Sequence, residues 1–273
     1  MIGFIHINKN AGSTLKYILR RSFKGGHCDA RIWPKQEKDE REIEKRVLTA
    51  RDVTRTKFVN PWLQSVSGHL VTGYSDLDQV KGMRLYTFLR DPVERTASHY
   101  QFFKRHIPDV MPFEEWIKNP HYRNVQARKI AGKDDGELAI KILTEKVSFV
   151  GMQEHFDESL VLMRKWIGSK AFDPHYKPRN VSKTKAVANE LTSNPKTLEL
   201  LQESNQEDIK LYKYAKEVVF PQQLADYGPD FQADLARFLE ENKQFTKDKS
   251  KAGKVSRGLY WLFLPLISKG GTF

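Results

Sequence analysis

Residues 3–14 read GFIHINKNAGST, and this stretch decides the fold that we predict. Residues 3–7 are almost continuously apolar, which is typical of a strand that is buried on both faces of a parallel sheet. A polar turn follows over residues 8–13, and apolar residues then recur at helical spacing over residues 15–23 until a glycine pair ends the pattern. The stretch therefore predicts a strand, a loop and a helix in succession.

The loop of this unit carries the groups that hold phosphate in proteins. Backbone N–H groups at a helix N-terminus, the small Gly12, two hydroxyls and the Lys9 ammonium could all meet one anion there. The Walker order fails, because its lysine follows the last glycine whereas Lys9 precedes Gly12. The loop alone leaves two interpretations open, a phosphate site and an ordinary strand-to-helix turn capped by Ser13.

A second unit of the same kind begins at residue 84. Residues 84–89 predict a buried strand, and residues 91–94 carry the aspartate, proline and glutamate that begin helices. Arg90 would then lie at the carboxyl end of the strand, where open α/β sheets bind ligands. Ser98 follows eight residues later, so a guanidinium and a hydroxyl could share a phosphate. Taken singly, each has a plainer explanation, in which Arg90 pairs with a carboxylate and Ser98 faces water.

Strands alternate with helices along the chain, and this alternation predicts the fold class. Residues 147–151 predict a third strand and residues 156–166 a helix behind it, whereas residues 67–69 have the pattern of a turn-like break. We therefore expect an α/β domain of three layers around a mainly parallel central sheet. The length of 273 residues fits one domain over residues 1–273, with a basic and apolar C-terminal extension over residues 245–273.

Charge and composition narrow the class of function. Lys and Arg number 46 against 34 Asp and Glu, so the formal net charge is +12, which favours an anionic ligand. The single Cys28 excludes a disulfide-stapled scaffold and a Cys-rich zinc module, and the spacing of His, Asp and Glu predicts no metal site. No apolar run approaches the roughly 20 residues of a membrane span. Residues 1–7 lack the features of a signal peptide, so we expect a cytoplasmic protein.

The two loops together resemble those of sulfotransferases that use 3′-phosphoadenosine 5′-phosphosulfate (PAPS). Residues 4–14 are similar to the family's 5′-phosphosulfate loop, and residues 89–100 are similar to its 3′-phosphate motif, including the eight-residue step from arginine to serine. The resemblance is to the branch that contains heparan sulfate 2-O-sulfotransferase and other Golgi carbohydrate sulfotransferases, whose catalytic histidine follows a glycine, as His69 does. The chain begins with a strand pattern instead of a membrane anchor, so we expect a soluble relative of bacterial type.

The resemblance implies a nucleotide-kinase-like fold and a role for each motif. In the family an acceptor hydroxyl attacks sulfur, a lysine stabilises the leaving oxygen and a histidine takes the hydroxyl proton, and here Lys9 and His69 would carry those roles. The donor would be bound by the first loop, the second loop and a cationic closing loop, through Lys9, Asn10, Ala11, Gly12, Ser13, Thr14, Arg90, Ser98, Ser182 and Lys185. Two plainer explanations stay open, a structural turn histidine at position 69 and a solvated basic loop around position 182.

For the other residues near these motifs, the sequence predicts either a structural position or two alternative positions. We expect His6 in the core, His99 packed near the site without chemistry, and His27 on the surface. Gln126 and Arg128 either line the acceptor cleft or lie on a surface helix.

These patterns together predict a PAPS-dependent sulfotransferase without a metal. It would act by in-line transfer, with a histidine base, on a hydroxyl of a glycan or of a small-molecule secondary metabolite. The alternatives are a nucleotide kinase and a non-enzymatic basic module that binds nucleic acid or heparin, whereas for the enzyme we expect no nucleic-acid partner. The apolar residues 259–267 could dock on an anionic membrane surface or on a second subunit, and we favour packing on the chain's own core.

Overall fold

The fold is built around a parallel sheet, in a computed structural model that describes residues 1–30, 47–178 and 184–246. The strands in these ranges are β1 (Ile2–Ile5), β2 (His27–Asp29), β3 (Ser65–Gly68), β4 (Arg84–Leu89) and β5 (Val147–Met152). Their order across the sheet is β2-β3-β1-β4-β5, and every neighbouring pair is parallel. The predicted α/β fold with a central parallel sheet is confirmed.

Helices connect the strands and flank the sheet. The helices of the described ranges are α1 (Gly12–Phe23), α2 (Ala50–Val59), α3 (Pro92–His106), α4 (Phe113–Trp116), α5 (Val125–Ala131), α6 (Gly136–Lys146), α7 (Phe156–Ile167), α8 (Ala186–Ser193), α9 (Pro195–Glu203), α10 (Gln206–Tyr214), α11 (Phe220–Tyr227) and α12 (Phe231–Gln244). A π-helical turn, Ala215–Val219, joins α10 to α11. Helix α1 packs against β2 and β3, and helices α6 and α7 pack against β5. Helices therefore cover strands in both halves of the sheet, to either side of the central strand β1.

The central strand β1 is buried along its whole length, as its apolar pattern predicts. Phe4 and Ile5 are fully buried, and the Phe4 ring stacks on Tyr86 of β4 with ring centroids 5.0 Å apart. The flanking strands are held in register, since Ile5 pairs with Gly68 of β3 on one side and with Thr87 of β4 on the other. The carboxyl ends of these three strands therefore lie side by side at one edge of the sheet.

The strand order creates a crevice at that edge between β1 and β4. The chain leaves β1 through α1 toward β2 at one side of the sheet, and it leaves β4 through α3 toward β5 at the other side. Where neighbouring strands send their connections in opposite directions, the loops separate and open α/β sheets bind their ligands. The two loops that the sequence singles out, after β1 and after β4, flank this crevice.

Two strands that the sequence pattern does not predict complete the sheet. The turn-like break expected at residues 67–69 is wrong for residues 67 and 68, which end β3, and right for residue 69, where a turn begins. The prediction of a surface His27 is also wrong, since this residue lies buried in β2. The His27 Nδ1 atom lies 3.0 Å from Ser65 Oγ, and Ser67 Oγ donates to Asp29 Oδ1 at 2.6 Å. These polar side chains satisfy one another inside the sheet, which is why strands so short and polar are buried.

A second hydrophobic cluster fixes α3 on the side away from the sheet. It is formed by buried residues of α3, α4, α8 and α9 and their borders, namely Ala97, Tyr100, Phe113, Trp116, Ile117, Ala188, Leu191 and Leu201. The helix that begins at the second loop is thus held by its contacts with α8 and α9.

Several sequence predictions concern residues outside the described ranges. They are Ser182, the apolar segment 259–267 and all but two residues of the extension at 245–273. One domain over residues 1–273 therefore stays a prediction. Within residues 1–30, 47–178 and 184–246, no helix is both long enough and apolar enough to cross a membrane.

Candidate functional site

The loop between β1 and α1 has an unusual backbone. Lys9 and Ala11 take left-handed conformations, with φ angles of 72° and 57°. Such angles are uncommon outside glycine and persist only where the surroundings hold them. The amides of Thr14 and Leu15 donate to the Ala11 carbonyl at 3.0 and 3.2 Å, which begins α1 directly after the loop. No acidic residue lies in the first turn, so its positive end can act on an anion.

The hydroxyl residues predicted for donor binding lie in this first helical turn. Thr14 is buried and Ser13 is half-buried. Asn10, between the two left-handed residues, is fully buried and faces the protein interior. Its Nδ2 atom donates to the Phe88 carbonyl at 2.8 Å and to Gln126 Oε1 at 2.7 Å. The Asn10 side chain therefore anchors the loop to β4 and α5.

Gly12 is the loop position at which the chain passes closest to a neighbouring side chain that any Cβ atom would displace. A Cβ atom there would lie 1.9 Å from Nε2 of His6. The His6 ring is itself packed against the His69 ring, with centroids 4.4 Å apart. His69 follows β3 directly and is exposed, whereas His6 is buried. Gly12, His6 and His69 thus lie next to one another at the carboxyl edge of the sheet.

Arg90 lies across the crevice from this loop and contacts it. Its Nη1 atom donates to the Lys9 carbonyl at 3.3 Å, and its Nη2 atom lies 3.6 Å from Glu94 Oε2. The buried Nε atom has no hydrogen-bond partner among the described residues. Burial lowers the pKa of Arg90, and the nearby carboxylates of Glu94, Glu154 and Asp91 oppose that shift. The Nε–H group of Arg90 is therefore left without an acceptor in the described part of the chain.

The ammonium of Lys9 is held in a cationic environment. Burial, and to a smaller extent the positive charges of Arg90, Arg105 and Arg95, together lower its pKa to about 8. Its Nζ atom lies 4.8 Å from the centroid of the Phe102 ring, which gives it a cation–π contact. A bound anion would relieve the repulsion among these cations, so the site favours a negatively charged ligand.

Two further residues of α3 lie near this site: Arg95 adds to its positive charge, whereas His99 stays neutral. Arg95 is fully buried, and its Nη2 atom donates to Thr96 Oγ1 at 2.7 Å and to the Tyr122 carbonyl at 3.3 Å. Burial lowers the pKa of Arg95 to about 10. His99 packs edge-on against the Trp116 and Tyr122 rings, and burial, with Arg95 and Lys9 adding to it, lowers its pKa to about 3.

The remaining predicted donor residues lie on α3 and at its neighbour α8. Ser98 is half-buried on α3, while Lys185 is exposed immediately before α8. The Gln101 side chain joins the two helices, since its Nε2 atom donates to the Thr184 carbonyl at 3.0 Å and its Oε1 atom accepts from the Ala188 amide at 3.1 Å. Lys185 is thus tethered close to α3, one turn beyond Ser98.

Both alternatives for Gln126 are wrong. The residue is fully buried, so it lies neither in an open cleft nor on a surface helix face. Its Oε1 atom accepts from Asn10 Nδ2 and from the Arg90 amide at 3.0 Å, and its Nε2 atom donates to the Arg90 carbonyl at 2.8 Å. Gln126 bridges Asn10 and Arg90 only through contacts that are far apart in the sequence. Arg128 of the same helix is half-buried.

The described residues bring the predicted loop groups together around one crevice. Within these residues no three of the metal-ligating His, Cys, Asp and Glu side chains come close enough to hold a metal ion.

Comparison with known proteins agrees with this arrangement. A family model described as "Sulfotransferase family" matches residues 1–215, a segment that includes both loops, His69 and Lys185. No curated protein matches the chain. The match covers 215 of 273 residues. On that extent of agreement, the chain belongs to the sulfotransferase family.

Proposed function

We propose that this chain transfers the sulfuryl group of PAPS to an acceptor hydroxyl. Family membership establishes sulfuryl transfer in general. The donor is inferred from one observation, the meeting of Lys9 and Arg90 across the crevice between β1 and β4, where Arg90 Nη1 lies 3.3 Å from the Lys9 carbonyl. Two cationic side chains at the carboxyl ends of neighbouring strands suit a ligand with an anionic group at each end.

The donor would be bound through both loops. In the proposal, the 5′-phosphosulfate lies at the N-terminus of α1, held by Lys9, by backbone N–H groups of residues 10–12 and by the hydroxyls of Ser13 and Thr14. The 3′-phosphate lies against Arg90 and Ser98. The unpartnered Nε atom of Arg90 supports this, because a buried N–H donor without an acceptor is costly until a ligand supplies one. Ser182 and Lys185 would close over the nucleotide.

The transfer step would need charge stabilisation and one proton acceptor. The acceptor oxygen forms a bond to sulfur while the bond from sulfur to the bridging oxygen breaks, and its electron pair stays on the 5′-phosphate of adenosine 3′,5′-bisphosphate. The Lys9 ammonium stabilises the charge that grows on this oxygen. An anionic donor raises the pKa of Lys9 from about 8, which keeps the amine protonated at neutral pH.

His69 is the proposed base that takes the acceptor proton. It is exposed at the carboxyl edge of the sheet, beside the loop that carries Lys9. Its backbone carbonyl accepts a hydrogen bond from Lys129, and its ring packs on His6, so its position is defined from two sides. An exposed imidazole at this edge of the sheet can reach an acceptor that enters from solvent.

The acceptor is proposed as a hydroxyl compound, a glycan or a small molecule. Neither a nucleotide kinase nor a nucleic-acid-binding or heparin-binding module is favoured by a specific observation, because Lys9 precedes Gly12 and the family match favours sulfuryl transfer.

Thermal unfolding with three ligands tests the donor assignment. Adenosine 3′,5′-bisphosphate should raise the melting temperature more than equal concentrations of ATP or heparin, since a ligand at about 100 times its Kd adds about 2.7 kcal/mol to stability. A larger rise with ATP would favour the kinase, and a larger rise with heparin the binding module. A mass-spectrometric screen of hydroxyl compounds with PAPS would then identify the acceptor class.

A further inference from the structure

One carboxamide joins the two loops of the site. The Gln126 side chain makes three hydrogen bonds, two through Oε1 from Asn10 Nδ2 at 2.7 Å and the Arg90 amide at 3.0 Å, and one from Nε2 to the Arg90 carbonyl at 2.8 Å. Both backbone groups of Arg90 are therefore held by the same side chain that holds Asn10. Because Gln126 is fully buried, water cannot replace these bonds if they are lost.

The backbone that carries this carboxamide is held by hydrogen bonds between α5 and α10. The Asp208 carboxylate of α10 accepts from the Gln126 and Ala127 amides at 3.1 and 2.7 Å, in the first turn of α5. In return, Asn124 Oδ1 accepts from the Glu207 and Asp208 amides at 3.1 and 3.4 Å, in the first turn of α10. Each helix thus caps the other, and the backbone of Gln126 is fixed independently of both loops.

Gln126 fixes the distance between the two cationic residues of the site, Lys9 and Arg90. Asn10 lies between the left-handed residues Lys9 and Ala11, so its anchoring sets where the strained loop presents the Lys9 side chain. Arg90 is held at its own backbone, one residue beyond β4. A ligand that touches both loops gains from this fixed spacing, because the protein need not order the loops when it binds.

From this geometry we infer that Gln126 is a positioning residue, which locks the phosphosulfate loop and Arg90 into one arrangement so that the two ends of the donor bind cooperatively. This inference rests on the proposed function, since it takes PAPS as the ligand that spans the loops. Gln126 touches no reacting atom and carries no charge. We therefore expect Gln126 to affect how much more tightly a ligand binds when it carries a 3′-phosphate in addition to its 5′-phosphate.

The measurement is the 3′-phosphate preference, the Kd of adenosine 5′-phosphate divided by the Kd of adenosine 3′,5′-bisphosphate, obtained by calorimetry. Gln126→Met keeps the side-chain length and neutrality but removes all three hydrogen bonds. We expect it to reduce the preference about tenfold or more, given three lost bonds. An unchanged preference would overturn the inference.

The chain offers a matched control in Gln223 of α11. Its Oε1 atom accepts from the Val150 amide at 2.9 Å and its Nε2 atom donates to the Val150 carbonyl at 2.7 Å. This is the same pair of hydrogen bonds to the backbone of one residue, but in the edge strand β5. Gln223→Met should lower the melting temperature and leave the preference within about twofold of wild type. If it reduced the preference as strongly as Gln126→Met, the effect would be general destabilisation and the inference would fail.

A second variant decides the matter if Gln126→Met does not fold. Gln126→Glu keeps an acceptor for Asn10 but, when ionised, cannot donate to the Arg90 carbonyl. A buried carboxyl group has a raised pKa, so acid restores the donor. Relative to wild type at each pH, the preference of Gln126→Glu should be low at about pH 8 and recover at about pH 5.5. Loss of the preference without recovery, or no loss, would contradict the inference.

The 3′-phosphate preference of the wild-type protein distinguishes a failure of the proposed donor from a failure of the positioning role of Gln126. If wild type shows no 3′-phosphate preference, the proposed donor is wrong and the inference falls with it. If wild type shows the preference and both Gln126 variants keep it at every pH, the donor assignment stands and the positioning role is wrong.

Discussion

Raising the pH from about 7 to about 9 should weaken the binding of adenosine 3′,5′-bisphosphate about tenfold through Lys9. Burial and three neighbouring arginines lower the pKa of Lys9 to about 8. The protonated fraction of a group with that pKa falls from about nine tenths to about one tenth over this range. Since an anion binds the ammonium and not the neutral amine, the loss is about 1.4 kcal/mol.

Other titrations contribute little between these limits. The phosphates are already doubly ionised, because their second pKa is about 6. Arg95, whose pKa burial lowers to about 10, stays mostly charged at pH 9. The direction is fixed by the sign of the shift: the pKa of Lys9 is lowered in the free protein and raised by the ligand, so binding takes up protons near pH 8.

Calorimetry in buffers of different ionisation enthalpy measures both effects. At about pH 8 we expect an uptake of about half a proton per ligand bound. Lys9→Arg, which stays charged, should bind without this uptake and with an affinity that is flat over the range. Lys9→Met should bind weakly at every pH. A wild-type affinity that is independent of pH, with no proton uptake, would refute the placement of the Lys9 amine beside the bound phosphate.

Three further substitutions test the crevice. Gly12→Ala should cost about 1–3 kcal/mol of stability in urea unfolding and impair donor binding, because its Cβ would lie 1.9 Å from His6 Nε2; wild-type values for both would show that the ring moves freely aside. Arg90→Ala should weaken adenosine 3′,5′-bisphosphate by about 1.5–3 kcal/mol and adenosine 5′-phosphate far less, whereas equal losses would contradict the 3′-phosphate assignment. His69→Ala should lower kcat by about 10²–10⁴-fold with the donor Kd unchanged, and it should abolish the acid limb of the kcat/KM profile. His99→Ala is the control, since a pKa of about 3 keeps that ring neutral at working pH; if it alone lowered turnover, the base would be misassigned.

The parts of the fold that the sequence predicts are those whose side chains show the pattern locally. β1, β4 and β5 consist mainly of apolar residues, and their burial follows from composition alone. β2 and β3 are short and contain His27 and Ser65, whose polar groups are satisfied only when the two strands pair. No local signal marks such residues as buried, because their partners lie tens of residues away.

The residues of the candidate site likewise fall into those that the local sequence marks and those that it does not. The loop lysine, the glycine and the arginine after β4 are marked by their places at strand ends, and the strand order brings them to one crevice. Gln126 and Arg95 are not marked, since each works through contacts with segments far along the chain. Burial of a polar side chain with distant partners can be known only once the packing of α3, α5 and α10 is known.

The mutual capping of α5 and α10 also bears on how this region opens. The first-turn amides of α5 are held by Asp208, and those of α10 by Asn124. If either helix frayed at its start, it would strip acceptors from the other, so the two helices should exchange their amide hydrogens as one cooperative unit. The first turn of α5, whose Gln126 holds both loops, is thereby tied to residues more than eighty positions further along the chain, and its amides should resist exchange for as long as α10 remains folded.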